Sequence, residues 1–258
     1  MITPTDVFHE LHPKAIADAR YGLAQFRALA TAHQYRWAYR EVQGRVARDL
    51  RVLDWGCGNG HFTQFLWQAG YRVSAFAFGE ATPLIADLLR LAPERVAYAA
   101  GTESDPVRLP FDDRAFAAVV SVGVLEHVRE TGGDESSSLR EIHRVLADDG
   151  LFLCFHFPNR FSWIEGLTFF FRSRFHHRYR YTRADILRLA RTTGFEVVQV
   201  RRYHAIPRNI FERLPESLRT SRRFTLLVNA ADALLRLVLH PFCQNYGFVL
   251  RKAARLPH

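Results

Sequence analysis

The chain has 258 residues, of which 48% are hydrophobic and 24% charged, and a formal net charge of +9. That length suits one large domain, or one domain with an added lobe, and the apolar share excludes a disordered or collagen-like chain. Three scattered cysteines, Cys57, Cys154 and Cys243, exclude a disulfide framework and a zinc cluster and favour a reducing compartment.

Asp6, His9, Glu10 and His12 stand where a signal peptide needs its apolar stretch. No run of about 18 uncharged apolar residues is present, so the sequence reads as a soluble, cytoplasmic protein. The charge is divided unevenly. Residues 1–157 hold 16 basic and 20 acidic side chains, and residues 158–258 hold 19 and 6, nearly all of the basic ones arginine. Such an imbalance points to an anionic surface or substrate near the C-terminal part, or to a solvated arginine-rich face.

In chain order, spacings of three and four among Ile16, Ala19, Leu23, Phe26 and Ala30 predict a helix over about 15–30. A second helix is expected over about 34–50, carrying Trp37, Val42 and Val46. Together residues 1–50 read as a helical N-terminal lid, with Tyr35 and Trp37 either packed on the core or covering a site. From Arg51 onward strands and helices alternate. Strands are expected at 52–55, 71–78, 96–99, 116–122 and 151–157, with helices near 61–69, 82–91 and 136–146. Phe116–Val122 is apolar without interruption, as a strand buried on both faces should be. This alternation predicts an α/β fold, a mostly parallel sheet with helices on both faces.

Past Pro158 the composition changes. Residues 158–181 form an aromatic and then basic insertion. Thr182 with Asp185 marks a helix start, residues 195–203 and 246–251 read as strands, and 204–244 reads as a helical insertion with a helix from about 222 to 239. On that helix Asn229, Asp232 and Arg236 share one face, while Leu227, Ala230, Leu234 and Val238 share the opposite one.

The chemistry begins at Asp54-Trp55-Gly56-Cys57-Gly58-Asn59-Gly60, a glycine turn between a strand and a helix. Missing side chains there let a ligand approach backbone N–H groups at a helix start. A dinucleotide turn wants G-x-G-x-x-G with a pyrophosphate at the helix end. Here the glycines are spaced as Gly56, Gly58 and Gly60, and Asp54 just before them would repel a pyrophosphate but suit a ligand carrying an ammonium group.

With Leu109-Pro110-Phe111-Asp112, Val124-Leu125-Glu126-His127-Val128 and Glu141–Leu146 following in order, the sequence resembles the class I S-adenosylmethionine-dependent methyltransferases of the methyltransferase-11/ubiquinone-biosynthesis-like type. The resemblance covers residues 51–200 well and the ends loosely. It implies a Rossmann-like seven-stranded sheet whose last strand is antiparallel, with helical N- and C-terminal additions. It implies S-adenosylmethionine as cofactor, its methionine end at Asp54 and Gly56 and its ribose near Gly58. Phe78 and Glu80 would meet ribose and adenine, Thr102 and Glu103 the adenine, and Val122 would border the methyl group. The sequence departs from the family pattern at Ala77, where an acid usually ends the second strand. Glu80 is three residues on, and Glu103 lies one place later than the corresponding acid after the third strand.

Two histidines are expected at strand ends facing the site: His127, in the family motif, and His156, closing the fifth strand, the favoured general base. His176-His177 and His204 lie in the basic part, and no metal site is expected from them, because neighbouring histidines point apart and no Cys or acid cluster accompanies them. The acceptor is expected to be a glycan, a lipid-linked sugar or a small metabolite methylated on oxygen, anionic in keeping with the basic half. Nucleic acid is not expected, and a peripheral membrane contact through residues 222–239 is open. The rival readings are a degenerate, non-catalytic scaffold on the same fold and a nicotinamide-dependent oxidoreductase.

Overall fold

A computed structural model describes residues 1–102, 104–170 and 177–253. Seven strands, β1 (Arg51–Trp55), β2 (Arg72–Phe78), β3 (Val96–Gly101), β4 (Phe116–Val122), β5 (Leu146–Pro158), β6 (Phe195–Tyr203) and β7 (Asn245–Lys252), form one sheet in the order β3-β2-β1-β4-β5-β7-β6. The β3 to β5 block is parallel, and β7 runs antiparallel to both β5 and β6. The fold is therefore the Rossmann-like α/β sheet expected from the strand–helix alternation.

Alternation along each strand divides the core in two. Val52, Val73, Ala118, Val120, Leu153 and Phe155 face one hydrophobic cluster, while Leu53, Trp55, Phe76, Val119, Phe152 and Cys154 face the other. Helices α1 (Pro4–Ala17), α2 (Leu29–Ala32), α3 (Arg36–Arg45), α4 (His61–Gln68) and α5 (Pro83–Leu91) supply side chains to the first cluster. On the opposite face pack α6 (Glu135–Val145) and α8 (Arg183–Thr192), with α7 (Trp163–Phe170) between β5 and α8 in the chain.

The N-terminal segment is built differently from the helix expected over 15–30. Thr3 and Asp6 form a reciprocal capping box that starts α1 at Pro4, and the helix ends at Ala17. Asp18 then caps Arg20, and Gly22 adopts φ +62°. Ile16, expected on a buried face, is 53% exposed. The local caps outweigh the apolar spacing. The second helix stops at Arg45 rather than near Leu50, where Val46 turns extended. Residues 1–50 share one continuous core with the sheet. Trp37 packs so close to β7 that a Cβ at Gly247 would stand 1.9 Å from its ring, so that position favours glycine.

The C-terminal insertion carries a 3-10 turn (Arg208–Arg213), α9 (Glu216–Arg219) and α10 (Arg222–Val238). Its polar face is the inward one: Asn229 and Asp232 are buried, whereas Leu227, Leu234 and Val238 are 70%, 66% and 79% exposed. A buried network explains the orientation. The Arg208 guanidinium donates to Asn229 Oδ1 at 2.9 Å and to the Ala30 carbonyl at 3.2 Å, and lies 3.5 Å from Asp232 Oδ2. Asp232 Oδ1 also accepts the backbone N–H groups of Ala205 and Ile206, each at 3.0 Å.

Candidate active site

The glycine turn leaves the C-terminal end of β1. Asp54, 2% exposed, ends up beneath the turn and accepts a 2.6 Å hydrogen bond from Thr63 Oγ1 in α4. Burial pushes its carboxyl up to about 7, only partly offset by the Thr63 bonds. A buried carboxylate near its titration point is poised for a cationic partner. The N–H groups of Gly56 and Cys57 are both taken by the Phe76 carbonyl, at 2.8 and 2.9 Å, so Gly56 offers a ligand a missing side chain rather than a donor. At φ +74°, any Cβ on Gly56 would lie 2.4 Å from Val124 Cγ2.

Above the turn is a cavity of about 250 Å³ walled by Gly56, Gly58, Phe76, Ala77, Phe78 and Val124, with Gly123 and His127 at one end. It is a mostly apolar slot; Asp54 is not among its lining residues and turns to the other face of β1, toward Thr63 of α4. Ala77 lies in the wall where the family acid would stand. Glu80 and Thr102 are exposed and not among the residues that line the cavity. Val122 packs beside the first core cluster, and the two residues after it, Gly123 and Val124, are those that reach the slot. Glu103 lies outside the described residues, as do 171–176 of the basic insertion.

A second, polar cavity of about 220 Å³ shares Gly123 and His127 with the first. His156, His177, His204, Glu126 and Arg208 line it. His156 arrives there through a break in the sheet. The β5–β7 register shifts between Cys154 and Phe157, and His156 takes φ +62°, a bulge that re-aims the side chain. Tyr203 Oη accepts its backbone N–H at 2.6 Å, and Tyr35 stacks on its ring at 5.3 Å. Burial brings the His156 imidazolium down to about 4, so the ring is neutral near pH 7. His204 is also held well below the ordinary range by burial, and its Nε2 donates to the Gln34 carbonyl at 3.1 Å.

His177 differs from these. Burial works against its charge, but Glu165 Oε1, 2.6 Å from Nδ1, outweighs it and raises the imidazolium above its usual value. Next to it, burial pushes the Glu126 carboxyl up to about 8. Glu126, Arg208 and Thr63 were not singled out as site residues from sequence; Glu126 alone of these carried a signal, as the residue before His127 in a matched motif, while Tyr35, expected either on the core or over a site, stacks on His156.

A parallel sheet with a glycine turn after β1, a carboxylate under that turn and an antiparallel β7 defines a class I S-adenosylmethionine-dependent methyltransferase. Comparison with known proteins gives the same answer: residues 21–200 match the methyltransferase domain family, and the chain belongs to it. It is 29% identical over 154 residues to a demethylmenaquinone methyltransferase of Thermus thermophilus, covering 59% of this chain and 64% of that protein. It is 31% identical over 177 residues to a Mycolicibacterium smegmatis protein named as a probable S-adenosylmethionine-dependent methyltransferase, covering 68% of this chain and 62% of the relative. The chain thus spans just under two thirds of the length of these curated relatives.

In fold it is similar to the 1,6-didemethyltoxoflavin-N1-methyltransferase of Burkholderia thailandensis, solved with S-adenosylhomocysteine. The TM-score is 0.55 and the identity 19%, over 98% of this chain and 92% of that one. S-adenosylmethionine is the cofactor of the class, and the apolar slot suits its nucleoside: the bare Gly56 and Gly58 positions leave space that side chains would fill, while Asp54 is buried outside the slot's lining. The nicotinamide reading is left without support.

Proposed function

We propose that the chain transfers a methyl group from S-adenosylmethionine to an oxygen of a small-molecule or lipid-linked acceptor, such as a glycan or a lipid-linked sugar. The observation that carries this reading is the pair of adjoining cavities, one apolar over the glycine turn and one polar, sharing Gly123 and His127. S-adenosylmethionine, when bound, supplies an electrophilic methyl on a sulfonium, so the protein has chiefly to align the acceptor and exclude water.

Asp54 would hold the ammonium end, and Phe76, Ala77 and Phe78 would flank the nucleoside. The neutral ring of His156 could take the acceptor's proton, and its burial keeps it free of one beforehand. The excess of basic side chains over residues 158–258 supports an anionic acceptor. The missing acid at Ala77 would weaken ribose binding by about 1.5–3 kcal/mol, the worth of a hydrogen bond to a charged group, without abolishing it.

A peripheral contact with an anionic membrane has support of its own. The leucine face of α10 is unpartnered, and Arg222 and Arg223 are exposed at its start. Among the described residues no helix is long and apolar enough to cross a membrane. Cys57, Cys154 and Cys243 are all free and buried, which supports a reducing, cytoplasmic setting.

The test is a calorimetric titration of the purified chain with S-adenosylhomocysteine, followed by transfer of labelled methyl into cell-extract fractions. Binding with labelled product bearing an O-methyl is expected. No heat at high micromolar ligand would favour the scaffold reading. His156→Ala should lower turnover with cofactor affinity unchanged, and undiminished turnover would remove the base from the mechanism.

A further inference from the structure

The spacing of His176 and His177 gives no metal signal, but the fold brings His177 to a different pair of residues. Glu126 and His127 follow β4, in the 3-10 turn Leu125–Thr131, and His177 follows α7. Each of the three offers a ligand atom, and these atoms all lie within 4.8 Å of one another. All three line the polar cavity.

The surroundings of this trio are those of a metal centre. His177 Nδ1 is held by Glu165 Oε1 at 2.6 Å, and Glu165 also accepts the His177 backbone N–H at 3.0 Å. His127 Nδ1 lies 3.1 Å from Glu130 Oε2. A carboxylate behind each imidazole fixes the ring and leaves Nε2 for the ion, the outer-shell pattern of metal-binding histidines. Glu126 is 2% exposed, and its Oε2 has no hydrogen-bond partner. A buried carboxylate oxygen without a partner is costly, and a cation at this point would satisfy it.

We propose that Glu126, His127 and His177 form a binding site for a divalent first-row cation, zinc or its cobalt, iron or manganese counterparts, at the wall between the two cavities. Two imidazoles and one carboxylate favour these ions over magnesium or calcium, which prefer all-oxygen sites. Three protein ligands leave at least one coordination position for a water or an acceptor oxygen on the polar side. The site stands apart from the methyl-transfer reading, since none of its observations uses the cofactor.

The experiment uses the untagged full chain, stripped with a chelator and titrated with cobalt(II), then zinc(II), by visible absorption and calorimetry. One saturable site per chain, with a d–d absorption band that zinc displaces, is expected. Glu165→Gln should weaken cobalt binding about 10- to 100-fold by loosening the ring behind it. His177→Ala should weaken it further while S-adenosylhomocysteine affinity stays near wild type, and the melting temperature should fall because Glu165 loses its partner. Failure to bind cobalt, or binding that His177→Ala leaves unchanged, would overturn the site in favour of a histidinium paired with Glu165. If His177→Ala does not fold, Glu126→Gln answers the same question by the same titration. Loss of nucleotide binding with the cobalt site intact would sink the methyltransferase reading alone.

Discussion

Thr63 Oγ1 donates a 2.6 Å hydrogen bond to Asp54 Oδ2, and the carboxylate is otherwise sealed beneath the glycine turn. The hydroxyl and backbone N–H of Thr63 do not repay the loss of water, so burial pushes the Asp54 carboxyl up to about 7 from 3.8. Between those values the folded chain binds a proton that the unfolded chain does not. The contribution of this group to stability is therefore full below about pH 4 and is lost as pH rises through 7. An ammonium placed against it reverses the preference and expels the proton.

S-adenosylhomocysteine affinity should accordingly rise with pH up to about 7 and then level off. Calorimetry in buffers of different ionisation enthalpy should show proton release near pH 6. Asp54→Asn should flatten the profile and weaken binding by about 1.5–3 kcal/mol, or about 10- to 150-fold. A pH-independent affinity in the wild type would contradict this account.

Gly56→Ala should be damaging out of proportion to one methyl group. The φ of +74° disfavours any L side chain, and the new Cβ would meet Val124 Cγ2 at 2.4 Å. Overpacking and strain together should cost about 1–3 kcal/mol in urea unfolding, with loss of most nucleotide binding. Retained affinity at wild-type stability would show that the turn relaxes more freely than its packing implies.

Asp232→Ala should be among the most destabilising single changes in the C-terminal part. It removes the acceptor of two backbone N–H groups and strands the buried Arg208 charge. Breaking such a buried pair costs about 3–5 kcal/mol, measurable by chemical denaturation, and the double variant Asp232→Ala with Arg208→Met should recover part of it. The leucines on the other face of the same helix should behave in the opposite way.

Leu227→Glu and Leu234→Glu lie at 70% and 66% exposure and should change stability by no more than about 0.5 kcal/mol. If the helix meets lipid, each should reduce co-sedimentation with anionic vesicles, and high salt should do the same by screening the arginines. Equal sedimentation of wild type and variants would rule that surface out.

The order of strands and helices over residues 51–200 and the carboxylate-led glycine turn could be read from the chain, because periodicity and backbone punctuation are local properties. Phe116–Val122 matched residue for residue, since a strand buried on both faces has no polar interruption to blur its ends. Other features depend on partners far away in sequence. The inward turn of the α10 polar face needs Arg208 and the N-terminal segment, and the aim of His156 needs a bulge against β7. The meeting of His177 with Glu126 and His127 joins residues about fifty positions apart. Local pattern reports which face of an element is apolar. Burial is decided by which polar groups find partners once the elements are packed, and that is a property of the assembled chain.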